Sequence, residues 1–294
     1  MYTIDLSDAF TERRPLIVQQ ISVAAHTCGF FQVENHGIPL DVMENTLLLA
    51  RLFHEQHLEY KSEFIYTSPI LHLGQVGARD SLHMPLEPVL PAPGLVPNFC
   101  IRQFLEWDVE VLRVAKLVME LLSEGLGLES GRIEDMACHR GRYMDADYFP
   151  YGSQGAILNL DFPPGSNLAV GPFTDPCVMK IQVQDKPNGL QFKDGDVWLE
   201  FPAWDDLLVS VGDLLQIFSN DNYKRAVQRV VADDMMEPPV SLSIFFYPAG
   251  GGNLGPFREL LSNNEPPHYR RFTLPQFFDQ AHYTDPLSSF RFRD

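Results

Sequence analysis

Met179-Lys180-Ile181-Gln182-Val183-Gln184, Leu190-Gln191-Phe192, Val197-Trp198-Leu199-Glu200-Phe201 and Leu207-Leu208-Val209-Ser210-Val211 are short runs of β-forming residues, separated by Gly, Pro, Asn and Asp. Each is too short for an ordinary helix and is bounded by turn formers, so each reads as a strand. Similar runs at 142–149, 226–231 and 241–247 carry the pattern from about residue 140 to 248. Seven or eight short strands at this spacing predict a sandwich or a jelly-roll barrel.

The texture changes on both sides. Up to about residue 130 the chain reads mainly as helix. Pro15 suits the first turn of a helix with Ile17, Ile21, Ala24 and Cys28 on its apolar face. Phe30-Phe31-Gln32-Val33 reads as a strand and Asn35-His36-Gly37 as its turn. Asp41 is placed to cap a second helix bearing Val42, Leu49 and Phe53. The stretch from Pro85 to Pro97 reads as a loop. A long helix follows, with Leu105, Val109, Leu112, Leu117, Leu121 and Leu122 at apolar positions, and it ends near Gly125 and Gly127. Beyond Gly255 one helix is expected at 257–261, then an aromatic tail packing over the barrel.

The 294 residues are 45% hydrophobic and 21% charged, ordinary for a globular protein. A net charge of −17 repels phosphate backbones and anionic membranes, so neither nucleic acid nor membrane is expected as a partner. No apolar run approaches the ~20 residues of a membrane span. No basic-then-apolar segment opens the chain, and the four cysteines show no C-x-x-C pair. A cytoplasmic protein with reduced thiols is the expectation.

Three longer strings carry a resemblance. They are Cys28-Gly29-Phe30-Phe31-Gln32-Val33-Glu34-Asn35-His36-Gly37-Ile38-Pro39, Leu121-Leu122-Ser123-Glu124-Gly125-Leu126-Gly127-Leu128 and Gly212-Asp213-Leu214-Leu215-Gln216-Ile217-Phe218-Ser219-Asn220. Together they resemble the iron/2-oxoglutarate dioxygenases of the isopenicillin N synthase-like type, in the branch of the aminocyclopropane-carboxylate oxidase homologues. The resemblance spans nearly the whole chain. It implies an α+β fold with a double-stranded β-helix (jelly-roll) core. The expected parts are a mainly helical region 1–130, the core 140–248, and a C-terminal helix and tail 249–294, all in one structural unit.

The resemblance also implies a site, and here the chain departs from it. The family holds iron with a His-x-Asp pair and a later His, a facial triad with open positions. Phe173-Thr174-Asp175 falls on the pair, so the first ligand is a phenyl ring and only Asp175 survives. Gln228 falls on the second His. The family's Arg-x-Ser, which anchors 2-oxoglutarate, falls within Pro239-Val240-Ser241-Leu242-Ser243, where no register supplies an Arg and Ser241 or Ser243 is the remaining Ser. The family's Asn-x-Tyr falls on Asp147-Tyr148-Phe149. The losses land on chemical positions while the scaffold strings are kept. Neither metal nor cofactor is expected.

If Phe149 faces the interior, strand alternation puts Tyr143, Asp145 and Asp147 on the same face. Asp175, Asp147 and Asp145 are the candidate catalytic residues, and Phe173, Gln228, Tyr143, Phe149 and Ser241 the candidate substrate contacts. Clustered carboxylates bind a cation or push one pKa up for acid–base work, and aromatic walls favour a cationic intermediate. The alternative for Asp145 and Asp147 is an exposed strand face. His54, His57 and Glu59 read as residues of an exposed helix and His36 as a structural turn residue, while Lys180 has two readings, a buried lysine of lowered pKa that forms imines and, the commoner case, an outward strand lysine. Three functions stay open. The first is a metal-independent, non-oxidative enzyme of specialised metabolism, performing a cyclisation, condensation, isomerisation or elimination on a small hydrophobic substrate. The second is an inactive binding protein, or a dimer partner of an active dioxygenase. The third is an oxygenase with relocated ligands.

Overall fold

The computed structural model describes residues 1–64, 80–136, 140–148, 168–187, 189–201, 206–231, 238–249, 252–281 and 285–292. Eleven strands form two sheets among them: β1 Thr3–Asp5, β2 Phe30–Glu34, β3 Asp80–Glu87, β4 Gly141–Tyr148, β5 Leu168–Phe173, β6 Met179–Gln184, β7 Leu190–Asp194, β8 Val197–Glu200, β9 Leu207–Val211, β10 Gln228–Val231 and β11 Val240–Tyr247. The larger sheet has the order β1-β2-β9-β6-β11-β4-β3 and the smaller β5-β10-β7-β8. The expected jelly-roll core is present.

Alternation along the strands decides what each face covers. On β6, Met179, Ile181 and Val183 point to one side, and on β11 Leu242, Ile244 and Phe246 join them. These residues belong to one apolar core together with residues of α1 Arg14–Thr27, α2 Leu40–His54 and, beyond the single turn α3 Leu58–Lys61, the long α4 Asn98–Gly125. The helices α1, α2 and α4 therefore cover the apolar face of the large sheet. Its other face turns toward the small sheet. There Phe30 and Leu208 pack with Leu190, Phe192, Phe201 and Val230 in a second cluster. This closes one part of the inter-sheet space with hydrocarbon and leaves the polar positions of β6, β11, β4 and β3 beside it.

Several local expectations are corrected. Pro85 lies inside β3, where it opposes Tyr143, rather than opening a loop. A proline is tolerated in this edge strand because β3 ends the sheet order. Strands β1 and β5 carry too little alternation to be read from sequence. Helix α2 begins at Leu40 with Pro39 at its cap position, so Asp41 lies in its first turn and caps nothing. Val109 of α4 is 64% exposed. His54 is not on a surface helix: it is buried against β4, its Nε2 3.0 Å from the Ala146 carbonyl and its ring stacked on Tyr148. The expected helix at 257–261 is a 3-10 turn, Arg258–Leu260. No helix among the described residues is long and apolar enough to cross a membrane.

Candidate active site

Register places the inward side chains in rows. In the first row Phe30, Ser210, Lys180, Phe245, Tyr143 and Pro85 lie side by side across six strands. The second row holds Gln32, Leu208, Gln182, Ser243, Asp145 and His83. A third holds Gln184, Ser241, Asp147 and Ser81. The parity expected for Tyr143, Asp145 and Asp147 is found, and Ser241 shares their face. Phe149 lies outside the described residues. Ser241 is buried, with Asp147 and Gln184 as its cross-strand neighbours.

On the opposing sheet Phe173 and Gln228 are direct cross-strand partners. Asp175 follows in a turn that the chain after β9 holds in place. The Asp213 amide donates to the Asp175 carbonyl at 2.9 Å and the Leu214 amide to that of Cys177 at 3.0 Å. Only glycine fits at position 212, because a Cβ there would meet the Cys177 carbonyl oxygen at 2.1 Å. These contacts begin α5, Asp213–Phe218, so the kept Gly212-to-Asn220 string is what positions Asp175.

Of the two readings of Lys180, the buried one holds and the commoner outward one is overturned. Lys180 points inward, with only 4% of its surface exposed. Its Nζ lies 2.8 Å from Asp175 Oδ2 and donates to Gln228 Oε1 at 2.7 Å. Gln228 Nε2 in turn donates to the same Asp175 oxygen at 2.7 Å. The three side chains close a triangle. The ammonium also lies 5.7 Å from the Phe245 ring centroid, within cation–π range. The alternation Met179-Lys180-Ile181-Gln182-Val183-Gln184 held the signal. In an ordinary two-layer sheet the polar side of such a strand meets water; here helices cover the apolar side, so the polar side is the interior.

The remaining carboxylates are also engaged. Asp145 Oδ1 sits 2.8 Å from His83 Nδ1, and Asp147 accepts a hydrogen bond from Ser81 Oγ. The His83 ring contacts Tyr143 at 4.6 Å between centroids. Tyr143 stacks on Phe245 at 4.8 Å, and its hydroxyl meets that of Tyr247 at 3.3 Å. Burial holds both phenols well above the usual tyrosine range, so they stay protonated. The expected cluster of bare carboxylates is thus replaced by carboxylates that each have a partner.

A double-stranded barrel of this build, with helices over one face and a site between the sheets, is the architecture of the iron/2-oxoglutarate oxygenases. The chain belongs to that family: residues 142–248 match the 2OG-Fe(II) oxygenase superfamily, and residues 2–89 match the family described as non-haem dioxygenase in morphine synthesis N-terminal. The Arabidopsis thaliana protein 1-aminocyclopropane-1-carboxylate oxidase homolog 1 is 34% identical over 94% of this chain and 77% of its own length. Homolog 5 from the same plant is 32% identical, over 94% and 71%. Among solved structures, JOX2 in complex with 2OG, Fe and JA superposes with a TM-score of 0.83 at 24% identity, covering 99% of this chain and 89% of that one. The dioxygenase for auxin oxidation in rice gives 0.76 at 17%, covering 95% and 94%. At these identities the superpositions speak for the fold alone.

The residues present do not fit the family's iron. Phe173 offers no lone pair. Asp175 and Gln228 direct their oxygens at the Lys180 ammonium, which already supplies a positive charge between them. A divalent cation at that point would meet another cation within a few ångströms in a low-dielectric interior. No group of three His, Cys, Asp or Glu side chains able to hold a metal ion occurs among the described residues. Pro239 to Ser243, where the resemblance puts the co-substrate's anchor, contains no arginine. The arginine of β4, Arg142, points to the helix side, where Asp108 holds it by two bonds of 2.7 and 2.8 Å.

Proposed function

We propose that this protein works without iron or 2-oxoglutarate, as a non-oxidative enzyme that moves protons on a small, largely hydrophobic metabolite bound between the two sheets. Cyclisation, condensation, isomerisation and elimination all fall in this class. The observation that carries the reading is the Lys180–Asp175–Gln228 triangle, two of whose members, Asp175 and Gln228, stand where the resemblance puts metal ligands. Asp145 with His83 supplies a proton acceptor and donor one row away. The protonated Tyr143 and Tyr247 hydroxyls and the Phe245 ring supply a polar and an aromatic wall. Internal pairing of Asp175 changes the substrate expected. A free cation has less to gain here than the sequence suggested, and a neutral or anionic polar group can approach Lys180.

The test is metal analysis of the purified protein, followed by a succinate assay with added iron(II) and 2-oxoglutarate. Substoichiometric iron and no succinate above background are expected. Stoichiometric iron with succinate formation would sink the proposal. The mutual satisfaction of the triangle also favours a second reading, a non-catalytic binding or partner protein. A metabolite that co-purifies and is released unchanged by both the parent and Asp145→Asn would support that second reading over the first.

A further inference from the structure

We infer that Lys180 is an imine-forming residue and that the interior takes carbonyl compounds, aldehydes or 2-oxo acids, as covalently bound substrates. The inference rests on the iron-free reading above and names its substrate class.

An imine-forming site needs an amine, a group to carry its proton, a hydrogen-bonding group for the departing oxygen and a shield for the iminium cation. All four surround Lys180. The amine lies 2.8 Å from a carboxylate oxygen of Asp175. The aromatic face of Phe245, 5.7 Å away, suits a cation on that nitrogen. Ser210 is the direct cross-strand neighbour of Lys180 in the same row. Its hydroxyl is fully buried and has no hydrogen-bond partner among the described residues. Buried polar atoms are almost always paired, so an orphan hydroxyl beside a buried lysine points to a ligand oxygen. Gln184 Oε1, on the same face of β6 as Lys180, is a second orphan. A purely structural ion pair would account for neither.

The step balances within these residues. The Lys180 ammonium passes a proton to the Asp175 carboxylate. The freed lone pair forms a C–N bond to the carbonyl carbon, and the oxygen takes up a proton as the nitrogen loses one. Asp175 then returns its proton to that hydroxyl, the C–O bond breaks, and water leaves as the C=N bond forms. The pair ends as it began, with one cation on nitrogen and one carboxylate on Asp175. The iminium withdraws electrons from the neighbouring carbon. Asp145 and His83 lie on the adjacent row, roughly 6–7 Å along the strands, where they can take a proton from a bound substrate.

Reductive trapping tests this directly. The native protein is incubated with pyruvate or phenylpyruvate and sodium cyanoborohydride, then mapped by peptide mass spectrometry. One reduced adduct per chain is expected, on Lys180. It is expected to be absent from Lys180→Arg, which keeps the charge pair but carries a guanidinium that does not deprotonate. An unmodified Lys180 with both probes, or labelling no greater than at the exposed Lys193 and Lys224, would overturn the inference. The wild-type map decides the matter even if the variant fails to fold. Failure to trap in an iron-free protein removes the imine alone, whereas stoichiometric iron removes the reading beneath it.

Discussion

At the scale of the residue, the outcome turns on one lysine. Lys180 and Asp175 are almost wholly out of water, their side chains 5% and 12% exposed. Removing one member of such a pair leaves an uncompensated buried charge, which costs far more than the pair contributes. Lys180→Met should therefore lower unfolding stability by about 3–5 kcal/mol. Adding Asp175→Asn to it should restore part of the loss, because the amide can still bond Gln228 without a charge to bury. Urea denaturation of the two single variants and the double variant gives the cycle. If the double variant loses the sum of the singles, the two residues are not coupled and the triangle is incidental. The sequence revealed Phe173, Asp175 and Gln228 because a resemblance fixed their places. It left the facing of Lys180 undecided and favoured the outward side, because a strand lysine looks the same whether its face meets water or a second sheet.

At the scale of the element, the contact between α2 and β4 predicts a pH dependence. Burial pushes His54 from the usual 6.5 down to about 4, against the opposing pull of its bond to the Ala146 carbonyl. The geometry agrees, since Nε2 has an acceptor and Nδ1 has no partner, so a second proton would be buried unpaired. The unfolded chain takes up a proton near 6.5 while the folded chain resists until about 4. Stability is then complete above the higher value and is lost as pH falls between the two, by up to about 3 kcal/mol. His54→Phe, which can keep the stacking on Tyr148, should flatten that slope while lowering stability at neutral pH. Chemical denaturation at intervals across this pH range measures it; an unchanged slope in the variant would show that other groups carry the acid sensitivity. The legibility of elements followed the same physics. Short β-forming runs between turn formers, such as the alternating β6 and the half-alternating β11, were readable, as was α4, whose span brings a long apolar stripe to the core. Strand β3 was not, because Pro85 is a turn signal everywhere except at a sheet edge. His54 was not either, because the polar sequence around it gave no sign that one turn of α2 is pressed against β4.

At the scale of the whole molecule, charge and burial act on separate parts of the structure, and salt can tell them apart. Acidic residues outnumber basic ones 39 to 22, giving a net charge of −17. Surface pairs such as Arg13–Asp8 and Arg132–Glu259 offset this only locally and contribute little each. Self-repulsion from this excess of acidic charge opposes the compact state. Raising sodium chloride from about 0.01 M to 1 M shortens the screening length from about 30 Å to 3 Å. The melting temperature should therefore rise with salt and then level off. The Lys180–Asp175 pair lies between the sheets and is almost wholly out of water, so salt screens it far less than the surface pairs. Lys180→Met should then melt lower than the parent at every salt concentration, with the same upward increment. A melting temperature that falls with salt would mean that surface ion pairs outweigh the net repulsion. An increment that differs between parent and variant would mean that solvent ions reach the triangle, and with it the face on which the proposed chemistry depends.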